Sequence, residues 1–161
     1  KINKPMENTF YILTRNIHSW TRWLVLILAL VVIFKAVSGW LGKKPFEKQD
    51  NILGASFVGS MHLQLLLGLL LYFVFSPMGL NAINELGMKA VMKNAEMRYW
   101  AIEHISVMIL AVILAQVGRS LSKKASDSVA KHKKSAIFYS VALVLVLSRI
   151  PWDSLRLFRG L

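Results

Sequence analysis

The sequence predicts an all-α integral membrane protein whose four transmembrane helices form an antiparallel up-down bundle. Two observations carry that expectation. Of its 161 residues 55% are hydrophobic, with a mean hydropathy of +0.50, a balance too apolar for a soluble domain of this length. The apolar residues are also gathered into four runs, at 18–41, 52–75, 99–118 and 135–152. Each comes close to the roughly 20 residues that a helix needs to cross the hydrocarbon. The chain, 1–161, then reads as a single membrane domain.

The first run is flanked by Trp20, Trp23 and Trp40, and the third and fourth carry Trp100 and Trp152, rings that settle at the level of lipid headgroups. Four spans put both termini on one side, here side A, together with the connection 76–98. Within that connection Leu80, Ile83, Leu86 and Val91 recur at roughly helical spacing with lysines between them, which predicts an interfacial helix over 80–97. Side B holds two shorter loops, "GKKPFEKQD" and "RSLSKKASDSVAKHKK". Their lysines make side B cytoplasmic by the positive-inside rule and place the termini in the periplasm. Short loops favour antiparallel neighbours. Small residues at one-turn spacing, Ala55 with Gly59, Ser56 with Ser60 and Ala111 with Ala115, suit close helix contact in lipid.

The formal charge of +12 invites a nucleic-acid reading, but the basic residues fall in the gaps between apolar runs and form no stripe with interleaved aromatics. No nucleic-acid partner is expected. With no cysteine, disulfides, thiolate metal sites and cysteine nucleophiles are excluded. HExxH, a phosphate-binding glycine loop and a Ser/His/Asp set are likewise missing from the sequence.

Polar side chains inside the spans cost about 2.5–3.5 kcal/mol each on insertion scales, so each needs a reason. Near side A these are His18 and Arg22 on the first helix, Glu103 and His104 on the third and Arg149 on the fourth; His62 and Gln64 lie deeper on the second. His18 and His104 are nearest in height. Intramembrane histidines on two helices, with arginines close by and small residues such as Ala111 and Ala115, suit a b-type haem: imidazoles ligate the iron and arginines pair with propionates. His18 with His104 is the first choice of iron ligands and His62 with His104 the second, with Arg22 and Arg149 as propionate partners and Glu103 orienting His104. His62, if not a ligand, is a proton-handling or quinone-contacting residue. A plainer account is equally open: Glu103 and Arg149 form an interhelical ion pair, Gln64 is an interhelical hydrogen-bonder, Lys35 snorkels toward side B, and His132, between Lys131 and Lys133, sits in a solvated loop.

The stretches "HSWTRWLVLILAL", "SGWLGKK", "HLQLLLGLLLYF", "EHISVMILAVILAQVGRSLSKKA" and "RIPW" together resemble a family of small four-helix bacterial inner-membrane proteins labelled cytochrome b-like. The resemblance covers about 16–152. Its motif positions here are His18, Arg22, Trp23, His62, Gln64, Glu103, His104, Arg149 and Trp152. It implies a multi-pass protein of the bacterial inner membrane that holds haem b and exchanges electrons with a quinone or a partner. The alternative is a cofactor-free accessory subunit of a larger membrane complex. Either reading expects the lipid bilayer and further subunits, or copies of the chain itself, as partners.

Overall fold

The computed structural model describes residues 4–153, with side chains from Thr9 onward. Helix is the only regular structure among the described residues. Helix α1 runs from Lys4–Leu41 and α2 from Lys48–Leu70, the latter continuing through a π-helical turn, Leu71–Phe75. Three short helices follow, α3 (Leu80–Leu86), α4 (Met88–Lys93) and α5 (Ala95–Arg98). A second π-helical turn, Tyr99–His104, leads into α6 (Ile105–Lys123), and α7 spans Ser128–Ser148.

Among the described residues three stretches are long and apolar enough to cross a membrane: Thr9–Leu41, Lys48–Leu86 and Ala95–Lys123. Large apolar side chains face outward along them, Phe34 at 74% exposure and Leu30 at 62% among them, a surface that lipid tails cover and water does not. The fourth expected span falls short. Lys131, Lys133 and Lys134 occupy the first turns of α7 and leave 135–148 as its uncharged part, about 21 Å of helix against a hydrocarbon core of about 30 Å.

α1 packs against α2 and α7, and α6 against α7 and α2. The shared core joins Val25, Ala29 and Val32 of α1 to Phe57 and Met61 of α2, Ala111 and Ala115 of α6, and Tyr139, Ala142 and Val146 of α7. Alanines at 29, 111, 115 and 142 are fully buried, so small side chains sit where helix axes approach most closely. Gly118 does the same against Phe138, whose Cβ would lie 2.3 Å from an added methyl group. The Ala111–Ala115 pair therefore faces inward, while Ala55, Ser56 and Gly59 face outward and Gly59 meets nothing within 4 Å.

Several boundaries differ from the sequence reading. α1 begins well before residue 18, which carries Tyr11 and Arg15 on the same helix as His18. The interfacial helix expected over 80–97 is divided into three. Gly87, with φ of 79°, ends α3, and Asn94 leaves helical geometry to cap α5 by accepting from Met97 N (3.0 Å). These pieces fold back through Ala82 and Val91 onto Ala101. Finally, α7 stops at Ser148, because Pro151 cannot continue the ladder and disfavours helical geometry at Ile150.

His132 is a correction. It lies within α7 at 2% exposure, its ring against Gly39 of α1 and 4.9 Å from the Phe46 ring, with Nε2 3.4 Å from Pro45 O. Lys35 also finds a partner, since its ammonium lies 3.3 Å from Asp50 at the start of α2.

Candidate functional site

A cavity of about 320 Å³ opens at the side-A end between α1, α2 and α6, with the end of α7 as its fourth wall. α1 contributes Tyr11, Arg15, His18, Ser19, Arg22 and Val25, which fall at three- and four-residue spacing on one face. From α2 come Met61, Gln64, Leu65 and Gly68, and from the neighbouring π-helical turn Tyr72. The opposite wall holds Trp100, His104, Met108 and Val112, and Val146 and Ile150 complete the apolar interior. Glu96 lines the cavity as well.

Both π-helical turns lie at this end. Such insertions shift the backbone bonding to i→i+5 and widen the helix locally. The Ala101 carbonyl in the second turn accepts from the Tyr72 hydroxyl of the first at 3.1 Å and so ties the two turns together across the cavity wall.

His104 is held through its outer nitrogen. Nδ1 lies 2.9 Å from the carbonyl oxygen of Arg149, an atom that can only accept, so Nδ1 carries the proton and Nε2 keeps its lone pair. The Tyr99 hydroxyl donates to the same carbonyl at 2.7 Å. Pro151 makes this arrangement available, because by ending α7 it leaves the Arg149 carbonyl without a helical donor. The Trp100 ring, 5.4 Å from the imidazole, packs against it.

His18 is placed by α2. Gln64 Nε2 donates to the His18 carbonyl (2.9 Å) and the Thr21 hydroxyl donates to Gln64 Oε1, so one amide fixes the α1 turn that carries the imidazole. The ring itself sits over Gly68, where an added Cβ would come within 3.2 Å of Cε1. His18 Nδ1 is buried and finds no hydrogen-bond partner among the described residues, and the same holds for Arg15 Nε. Arg15 stacks over Tyr11 (5.2 Å to the ring centroid). Arg22 is buried, donates to Ser19 Oγ at 3.3 Å and lies 5.4 Å from the Trp23 ring centroid.

Of the residues expected from sequence, His18, Arg22 and His104 therefore share one cavity and the other three do not join them. His62 is exposed and its Nδ1 bonds back to Val58 O (2.8 Å) on its own helix. Glu103 and Arg149 stand outside the lining. Glu103 accepts from Arg98 Nε (2.8 Å) and lies 3.7 Å from Arg149 Nη2, which makes the interhelical ion pair of the plainer reading. Arg15, Tyr11, Tyr72 and Glu96 were missed. Tyr11, Arg15, His18 and Arg22 follow at four-, three- and four-residue spacing in the sequence, but the apolar run that marks the first span begins only at 18.

Comparison of the chain with protein-family models, with curated proteins and with solved structures gave no match.

Proposed function

We propose that this chain is a membrane electron-transfer protein of b-type cytochrome character, with α7 as a fourth and short span beside the three longer ones. One observation carries the reading: imidazoles from two different helices, His18 and His104, line one cavity, and the backbone contact of His104 leaves its Nε2 lone pair unused. Among the described residues no three metal-ligating side chains converge, so a bare ion would be poorly held. A haem would bring most of its own iron ligands and would need only the two imidazoles from the protein. The cavity volume lies within the range of about 300–1,000 Å³ for small-molecule sites.

In this reading His18 and His104 hold the iron, and Arg15 with Arg22, rather than Arg149, faces the propionates. The buried Arg15 Nε, a donor without a partner among the described residues, fits a ligand that carries acid groups. Haem, when bound, supplies a one-electron couple. The protein's part is to fix the His104 tautomer through the Arg149 carbonyl, to hold the His18 turn through Gln64, and to keep the inner wall dry with Met61, Met108, Val112 and Val146. The lysine-rich loops orient the chain in a bacterial inner membrane with its termini periplasmic, and a quinone or a partner subunit is the electron source or sink.

The second reading, a cofactor-free accessory subunit, is favoured by the mutual neutralisation of Arg98, Glu103 and Arg149. The absorption spectrum of the dithionite-reduced protein, purified from haem-replete cells, decides between the two. Soret and alpha bands that vanish in both His18→Ala and His104→Ala but persist in His62→Ala are expected. A spectrum without those bands refutes the haem reading.

A further inference from the structure

The two side-B loops are not independent of each other. Phe46 N donates to Ser128 Oγ (3.0 Å), and His132 is sunk between Gly39, Pro45 and Phe46, so the α1–α2 loop and the start of α7 form one surface. That surface carries Lys43, Lys44, Lys48, Lys123, Lys124, Lys131, Lys133 and Lys134. Three carboxylates stand beside them, each tied to a helix start. Asp50 accepts from Glu47 N (2.9 Å) and pairs with Lys35, Glu47 closes the same capping box, and Asp127 Oδ1 accepts from Ala130 N (2.8 Å). Among the described residues only Asp50 of the three is paired with a lysine, and the eight lysines outnumber the three carboxylates, so the surface is strongly positive on balance.

Several of these lysines are held in place. Lys133 lies over the Trp40 ring (5.6 Å), Lys131 over the Phe46 ring (5.8 Å), and Lys44 Nζ donates to Ser38 Oγ (3.2 Å). Trp40 belongs at headgroup depth. Directly below Lys133 on α7, exposed Ile137, Val141 and Val144 follow at three- and four-residue spacing, and exposed Leu30, Phe34 and Leu41 run along α1. An ordered set of ammonium groups therefore crowns two apolar stripes, which is the shape of a phosphate-bearing amphiphile.

We propose that this surface binds the headgroups of anionic phospholipids, with Lys133 over Trp40 as the anchor, Lys44 and Lys131 beside it, and acyl chains along α1 and α7. A soluble polyanion would use the lysines and leave the stripes idle, so lipid is the occupant the geometry favours. Binding is independent of whatever fills the side-A cavity.

Phosphatidylglycerol is titrated into the detergent-solubilised protein and followed by native mass spectrometry and thermal unfolding. Phosphatidylcholine with the same tails and inorganic phosphate serve as parallel arms. Phosphatidylglycerol alone should remain bound and raise the midpoint. The triple variant K44Q/K131Q/K133Q should bind it on the order of 100-fold more weakly, and Lys133→Gln alone about fivefold, following the electrostatic worth of each lysine near a membrane surface. The single variant keeps the test usable should the triple variant fold poorly. Equal retention of phosphatidylcholine, an equal shift with inorganic phosphate, unchanged binding by the variants, or an equal loss in the side-A control K89Q/K93Q would each overturn the proposal.

Discussion

Gly39→Ala should destabilise the protein when His132 is present and stabilise it when His132 is removed. In the native packing a methyl group at residue 39 would lie 2.4–2.5 Å from three His132 ring atoms, well inside van der Waals contact. The ring has little room to retreat, since it is 2% exposed and bounded by Phe46 and Pro45. Overpacking of this kind costs about 1–3 kcal/mol. Against it stands a gain of about 1 kcal/mol from replacing glycine by alanine inside a helix. The net is a loss of about 1 kcal/mol in the wild-type background. In His132→Ala the obstruction is gone and only the helix gain remains, so the same substitution should raise stability by about 1 kcal/mol, and the coupling between the two sites is about 2 kcal/mol. Thermal unfolding in mild detergent across the four-member cycle measures it. If Gly39→Ala has one sign in both backgrounds, His132 is not seated on Gly39, and the joining of the α1–α2 loop to α7 fails with it.

Lys43 takes a left-handed backbone, φ 50°, one residue past Gly42, and Lys44 N bonds to Gly39 O (3.0 Å) to close the end of α1. Lys43→Gly should therefore stabilise by about 0.5–1 kcal/mol in the same unfolding assay, because left-handed geometry costs an L-residue about 1–2 kcal/mol and glycine returns part of that as chain entropy. Gln64→Leu removes the amide contacts to the His18 carbonyl and to Thr21 and should cost about 1–2 kcal/mol, measured by detergent unfolding. The Ala130 N–H donates to the Asp127 carboxylate and holds its pKa below the ordinary aspartate value, with the Ser126 hydroxyl assisting. The folded value being the lower one, this cap is fully present above the ordinary value and is lost as pH falls through the depressed one. Hydrogen exchange of the Ala130 amide should accordingly lose protection at acidic pH in the wild type but not in Asp127→Asn, relative to a reference amide in mid-helix α6.

Much of the candidate site was legible as a level in the membrane. Counting residues from the ends of the apolar runs placed His18, Arg22 and His104 at one end, and the structure gathers these three around one cavity. Which other residues join them was not. The inward face of α2 follows Phe57, Met61, Gln64 and Gly68 at four- and three-residue spacing, so His62 is turned about 100° away from it. That spacing was in the sequence, but Leu63, Leu65, Leu66 and Leu67 make every other face equally apolar. Arg149 and Arg15 exchanged places for a different reason. The arginine just past the end of α7 meets Glu103 in the π-helical turn before α6, whereas the one on α1 is brought into the cavity by a helix that starts earlier than its apolar run.

The sequence by itself determined that the chain is helical and membrane-bound, and which ends carry its charge, because partition between lipid and water depends on composition along one dimension and needs no partner. Only the tertiary structure decided which face of each helix turns inward, that a histidine among three lysines is buried against a glycine, and that a proline-ended helix offers the carbonyl on which His104 rests. In lipid the outer surface is as apolar as the core, so the polarity contrast that reveals the inner face of a soluble helix is missing, and close packing between particular side chains has to make the choice.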